Sequence, residues 1–386
     1  MRVAHAESMS PEPPPRSPDT LRLLNTSGSL THRLAVLHQG LLEKIPSLDR
    51  IACALYEEQR DTLKTFINST RSGRAIAGYE YKLSESRALN ELARTGQFRV
   101  LDDIAAAIEP STAHSAWLRE QGYRSSFTVP IYDQDRLLGF VFFDSRELGT
   151  FTPLVQRDLV LYCSLIAMSI SNEFASAQML VETARVAREL AEMRDFETGT
   201  HLERMGQYAR LIARHLAAQW KLDDEFIEHL FLFAPLHDVG KIAIPDRILL
   251  KNGRLDPDER VIMETHVAKG LEIIDRIAGT HALRHLPDPG MLRNIVGKHH
   301  EYLDGSGYPN GLRAEQIPPE ARIVTVADIY DALTAVRPYK KVWPHAEAMQ
   351  ELQRMANAGQ LDPDCVAAMA QQEEQVLTIQ RQLADI

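Results

Sequence analysis

A chain of 386 residues exceeds one ordinary core and predicts two domains of roughly 100–200 residues each. Hydrophobic residues make up 44% and charged residues 25%, as in soluble globular cores, while the net charge of -10 argues against broad nucleic-acid binding and removes DNA as an expected partner. Cys53, Cys163 and Cys365 stand far apart with no CxxC pair, which excludes a disulfide framework and a thiolate metal site. With no signal-peptide pattern and no apolar run of bilayer length, the expectation is a cytoplasmic protein without membrane insertion.

Residues 1–20, with Pro11, Pro13, Pro14, Pro15 and Pro18 among polar neighbours, read as a disordered tail. Residues 21–177 read as mixed α/β. Within them, Phe127 to Tyr132 and Leu137 to Phe143 are β-favouring runs joined by the polar turn Asp133 to Arg136, and Leu154 to Ser171 predicts a helix. Val129-Pro130-Ile131, Leu138-Gly139-Phe140 and Phe151-Thr152-Pro153 resemble a GAF domain. That resemblance implies a sensory α/β fold with a ligand of its own, whose identity the fold does not name.

Residues 178–193 predict a connecting helix. Ala177, Leu180, Ala184, Ala187 and Ala191 alternate three- and four-residue steps, an a/d seam that suits a parallel helix pair in a homodimer, or else packs on its own domain. Residues 194–386 read as all-α, with 3.6-period runs and little strand signal.

The chemistry lies in this helical half. Glu197 and His201 are four apart on one predicted helix face. His237 and Asp238 interrupt the apolar run from Phe231 to Leu236, and Asp328 interrupts the run from Ile323 to Ile329. Burying a carboxylate there is unfavourable unless it is paired or holds a metal. His266 stands alone, and His299-His300 leads into the Gly-rich loop Asp304-Gly305-Ser306-Gly307. Imidazole and carboxylate donors suit divalent transition metals, whether iron, manganese, zinc or nickel, and the donors alone leave the choice open. The donor count implies two or three ions bridged by a carboxylate such as Asp238, a combination suited to phosphoester hydrolysis.

Two other motifs fail. His300-Glu301-Tyr302-Leu303-Asp304 lacks the second histidine of HExxH, and Gly240-Lys241-Ile242 lacks both the glycine spacing and the hydroxyl of a P-loop.

Seven motifs in order resemble the HD-GYP branch of the HD phosphohydrolases: E-T-G-T-H at 197–201, H-D-V-G-K-I at 237–242, I-P-D at 244–246, H-H-E at 299–301, D-G-S-G-Y-P at 304–309, V-A-D at 326–328 and R-P-Y-K at 337–340. The resemblance implies hydrolysis of cyclic di-GMP to pGpG, GMP or both. It also implies a metal set of His201, His237, Asp238 and Asp328, with His266, His299 and His300 added and Glu197 serving a third metal. Lys241 matches a lysine near the scissile phosphate, with a catalytic role beside Asp238. Arg337 and Lys340 match phosphate contacts, giving a substrate-binding set with Lys241. Gly307-Tyr308-Pro309 reads as a stiff turn, and the resemblance implies contact with a diguanylate cyclase domain. Asp304 is expected to orient a ligand histidine. Departures at Arg313-Ala314, at Leu361 and at 286–290 bear on loop shape and hence on the range of cyclic dinucleotides accepted. A receptor with little turnover is the other class weighed, and the intact ligand set argues against it.

Overall fold

β-favouring runs in the first half build six antiparallel strands, the central ones buried on both faces. In a computed structural model describing residues 28–108, 113–190, 199–278, 288–335 and 342–384, helix α1 (Leu30–Leu42) precedes β1 (Arg50–Glu57), β2 (Thr62–Thr70) and β3 (Glu80–Lys82). Helix α2 (Arg87–Thr95), β4 (Arg99–Leu101), α3 (Ile104–Ala107) and α4 (Ala113–Glu120) lead to β5 (Ser125–Asp133) and β6 (Arg136–Ser145). The sheet order is β3-β2-β1-β6-β5-β4. The expected hairpin is β5–β6, with a tighter turn than read: Asp133 pairs with Arg136, and Gln134 takes the left-handed conformation at φ 53°. Gly139 is needed where β6 pairs with β1, since a Cβ there would lie 1.9 Å from the Ala54 carbonyl oxygen.

Phe143 and Val141 face one side of the sheet, where Leu34 and Leu37 of α1 join Leu159 and Ile166 of the long helix α5 (Pro153–Leu190). Phe140 and Phe142 face the other side, with Leu83 and Leu92. The helix expected over 154–171 and the connecting helix are thus one element as far as Leu190. Its segment Pro153–Thr183 is long and apolar enough by composition to cross a bilayer, which corrects the expectation that no such run exists. The same residues supply buried side chains to both domains, which accounts for their hydropathy.

The second half is helical: α6 (Gly199–Trp220), α7 (Asp224–Phe233), α8 (Asp246–Leu249), α9 (Pro257–Glu264), α10 (His266–Ala278), α11 (Pro289–Lys298), α12 (Pro319–Thr334), α13 (His345–Asn357), α14 (Pro363–Gln371) and α15 (Glu373–Gln382). Asp223 caps α7 through the Phe226 amide, and Asp256 with Glu259 forms a reciprocal capping box on α9. Ala177 and Leu180 are 0% and 3% exposed inside this second core, beside Tyr208, Leu230 and Phe233. The seam read as a dimer contact is therefore corrected for these two residues, which pack on their own chain. Ala184 and Ala187 lie on α5, while Ala191 falls outside the described residues, as do the tail, Glu197, Arg337 and Lys340.

Polar contacts fasten the two cores together through α7. Glu225 accepts from the Leu30 and Thr31 amides at 2.6 and 2.9 Å, capping α1 from across the interface. Lys64 on β2 donates to Glu228 at 2.6 Å, and Thr65 donates to Asp224 at 2.6 Å. Arg210 of α6 donates to Glu57 of β1 at 2.9 Å, and His229 meets Glu173 of α5 at 3.0 Å.

Candidate metal centre

Helix α7 runs through a 3-10 turn, Ala234–Leu236, directly into His237 and Asp238, and a second such turn, Val239–Ala243, carries Lys241. That second turn lies against α10 because residue 240 is glycine: a Cβ there would lie 1.9 Å from the His266 carbonyl oxygen. Close backbone approach brings His266, the first residue of α10, to Asp238. His299 and His300 follow the C-terminus of α11, and Asp328 comes from α12.

Their donor atoms gather in two adjoining sets, each within 4.8 Å: Asp238, His266, His299 and His300, and His201, His237 and Asp328. The Asp238 carboxylate lies between them. One oxygen is 3.1 Å from His266 Nε2 and 3.5 Å from His299 Nε2, and the other is 3.2 Å from His237 Nε2 and 2.7 Å from Lys241 Nζ. Asp328 lies 3.7 Å from His237 Nε2.

The ring orientations are fixed from behind. Nδ1 of His237, His266 and His299 meets the carbonyl oxygens of Ala234, Met263 and Ile295 at 2.8, 2.8 and 3.0 Å. A carbonyl only accepts, so each Nδ1 carries a proton and each ring points its Nε2 inward. Nε2 of these three histidines and Oδ1 of Asp238 are buried and make no hydrogen bond of normal geometry. Buried acceptors aimed at one another carry a large desolvation penalty unless a cation sits among them, so this donor set fits divalent metal.

The electrostatics agree. Burial raises the Asp238 carboxyl, but Lys241 and His237 outweigh it and hold the group well below the usual carboxylate range. Burial, then the charge of His299, keeps His300 well below its ordinary value and so neutral. His237 goes the other way: burial lowers it, while Asp238 and Asp328 push it well above. Uptake of a cation at that set therefore displaces a proton.

Residues not singled out from the sequence complete the site. Asp331 is fully buried one turn beyond Asp328, accepts from His201 Nδ1 at 2.7 Å, and is itself held by Arg204 at 2.5 Å. Its position three residues after Asp328, just past the same apolar run and one helical turn on, is the signal that could have found it. An Asp331→Asn change is expected to weaken metal affinity about 10- to 100-fold, read by metal titration. Tyr308 stacks on His300 at 4.7 Å between ring centroids, so the GYP turn forms a wall of the site as well as a surface turn. Gly307 has no room for a Cβ, which would lie 2.4 Å from the His300 carbonyl oxygen. Glu301 secures the loop by accepting from the Asn310 and Leu312 amides at 2.7 and 2.8 Å. The expectation for Asp304 is corrected: its carboxylate closes a local turn with the Ser306 amide and hydroxyl at 2.8 and 2.6 Å, away from the ligand histidines.

Buried imidazoles and carboxylates facing one another inside a helical domain, behind an α/β module, define a two-domain protein with a candidate metal centre. The family profile described as HD domain matches residues 185–365, and that described as GAF domain matches residues 40–170. The chain thus carries a GAF domain followed by an HD domain. It is 42% identical over 215 residues to the cyclic di-GMP phosphodiesterase response regulator RpfG of Xanthomonas campestris, covering 55% of this chain and 52% of that one. It is 38% identical over 207 residues to a cyclic di-GMP phosphodiesterase of Thermotoga maritima, 53% of each chain. A 3'3'-cGAMP-specific phosphodiesterase 2 of Vibrio cholerae is 36% identical over 225 residues, 56% of this chain and 41% of that one. The chain thus spans about half the length of the curated relatives it matches.

Proposed function

We propose that the chain is a metal-dependent phosphodiesterase that hydrolyses cyclic di-GMP to pGpG, GMP or both, in cytoplasmic second-messenger signalling. The observation that carries this reading is the Asp238 carboxylate with its two oxygens facing two separate imidazole sets. His201, His237, Asp238 and Asp328 would hold one ion, and Asp238, His266, His299 and His300 a second, with Glu197 serving a third. Iron or manganese suits the donors best, then zinc or nickel. Bound ions would supply Lewis acidity toward a phosphoryl oxygen and an activated water.

The protein's own groups do the rest. Lys241, partly exposed at the rim, places a positive charge where a phosphate must approach, and it can protonate a leaving oxygen. Arg337 and Lys340 add phosphate contacts in an otherwise acidic chain. Tyr308 offers a ring face beside His300 against which a base or ribose can rest. The same Gly307-Tyr308-Pro309 turn would contact a diguanylate cyclase domain. In the GAF domain a cavity of about 110 Å³, lined by Arg50, Lys64, Tyr79, Tyr81, His114 and Phe142, would receive the sensory ligand. Lys64 and Thr65 line it and also hold α7, which gives the ligand a route to His237 and Asp238. The assembly is a homodimer.

Purified full-length protein of measured metal content, given cyclic di-GMP and 3'3'-cGAMP separately with products resolved, tests the reading. Metal-dependent pGpG or GMP from cyclic di-GMP is expected. Faster turnover of 3'3'-cGAMP would reassign the substrate, and tight binding without cleavage by fully metallated protein would make the chain a receptor.

A further inference from the structure

One end of the GAF cavity holds more hydrogen-bond donors than the chain satisfies. Strand register sets Arg50 opposite Asp144, and sets Thr128 between Phe142 and Arg99, so these side chains share one face of the sheet. Arg50 and Phe142 line the cavity together with His114, Tyr79 and Tyr81. The Trp117 ring lies 4.8 Å from the Arg50 guanidinium carbon and 5.6 Å from the Tyr123 ring, which brings Tyr123 to the same place. Nε of Arg50, Nε of Arg99, Oγ1 of Thr128 and the Tyr123 hydroxyl are buried without a hydrogen-bond partner. Each of these atoms can donate.

Charge points the same way. Arg50 and Arg99 share one carboxylate, Asp144, which Arg50 holds in an ion pair. The nearby Asp49 is occupied by Arg71 and the Arg146 amide, and Lys64 by Glu57 and Glu228. Burial, then the charge of Arg50, lowers His114 to about 4, so at neutral pH its ring adds a donor and no charge. One positive charge is left over in a buried place, where an unpaired charge is strongly unfavourable. A water accepts from about two donors and leaves the charge as it was. A carboxylate, with about four lone-pair sites and a single negative charge, answers both.

Shape limits the rest of the ligand. Tyr81, Tyr79, His114 and Trp117 follow one another in stacked pairs with centroids 6.4, 6.1 and 6.2 Å apart, a row of flat rings. At about 110 Å³ the cavity is smaller than the roughly 150 Å³ that accommodates benzene, so it admits a planar body of about six heavy atoms and excludes a nucleotide. We infer, resting on the reading of the GAF cavity as the sensory ligand's seat, that it receives a small planar organic monoanion, a short unsaturated carboxylic acid held by Arg50, Arg99, Thr128 and Tyr123. The substrate of the metal centre does not enter it.

Full-length protein is titrated by calorimetry with crotonate, with crotonamide, which has the same shape and no charge, and with inorganic phosphate. Crotonate is expected to bind at or below about 1 mM, within the ceiling for so small a ligand, and crotonamide about tenfold or more weakly. Arg99→Met should weaken crotonate about tenfold or more, and Thr128→Val several-fold. The melting temperature of unliganded Arg99→Met should hold or rise, because a buried cation with spare donors is gone. Tighter binding of phosphate, or crotonate binding that Arg99→Met leaves unchanged, overturns the inference. Leu89→Trp, which fills the cavity, separates the class of ligand from the seat. Crotonamide that binds as tightly as crotonate, and is lost in Leu89→Trp, overturns the carboxylate and keeps the cavity as a ligand seat. Binding by neither compound overturns both, since no planar body of the cavity's size then enters it.

Discussion

Asp238→Ala is expected to strip the helical domain of metal and to lower cyclic di-GMP turnover by about a thousandfold or more. Among the described residues Asp238 is the carboxylate that faces both donor sets, and its removal leaves His237, His266, His299 and Lys241 around a site without the anion that joins them. Loss of metal-based stabilisation of a phosphoryl transition state is worth several kcal/mol, and about 4 kcal/mol corresponds to about 10³ in rate. Lys241→Met separates the roles of the neighbours. It leaves every imidazole and carboxylate in place, so metal content should hold while kcat falls about 10²-fold, the usual effect of losing one charge-stabilising donor. Metal analysis and steady-state kinetics on both variants decide the matter. Normal metal content in the Asp238→Ala protein would rule out the bridging role, and loss of metal in Lys241→Met would move the lysine from chemistry to site assembly.

How far these assignments could be read in advance depended on where their determinants lie. His237, Asp238 and Asp328 were legible because charged groups break apolar runs, and that pattern is local. The β5–β6 hairpin was legible for the same reason, since two β-favouring runs and the polar turn between them are near neighbours in sequence. Gly240 was not: its lack of a side chain matters because of the His266 carbonyl, a contact made only in the folded chain. Asp304 and Asp331 were exchanged in effect. Both are acidic and close to ligand residues in sequence, yet Asp304 sits in a solvent-facing turn while Asp331 is buried behind His201. Helix α5 gave the clearest ambiguity. A 3.5-residue repeat runs through Ala177 and Leu180, and period alone cannot say whether that face meets a second copy or the chain's own core. Ala314 is a further case. The resemblance puts a change at this position, and the structure holds it at φ 39°, in the left-handed region that favours glycine.

Glu228→Gln should loosen the two domains from each other and lower the unfolding temperature by roughly 5–10 °C. The Glu228 side chain is 7% exposed and pairs with Lys64 at 2.6 Å, with Arg210 at 3.9 Å, both nearly buried. Neutralising it leaves two buried cations that share one remaining anion, Glu57. Removing one member of a buried pair costs about 3–5 kcal/mol, and the share Glu57 takes brings this to about 2–3 kcal/mol. At about 2–4 °C per kcal/mol for a domain of this size, the shift follows. Acid should act on the same contact. Burial raises Glu57, but Arg210, Lys64 and Arg60 outweigh it and hold the carboxyl at about 2, below its ordinary 4.5. A depressed carboxyl contributes stability that is complete above about pH 4.5 and is lost as pH falls toward 2, so the Glu57 contribution disappears over that window. Calorimetry of wild type, Glu228→Gln, Lys64→Met and the double variant isolates the pair by its coupling energy. Equal melting temperatures would mean that water screens the contact. A coupling of the expected size, with cyclic di-GMP turnover altered in the single variants, would make α7 the mechanical link from β2 of the GAF sheet to His237 and Asp238.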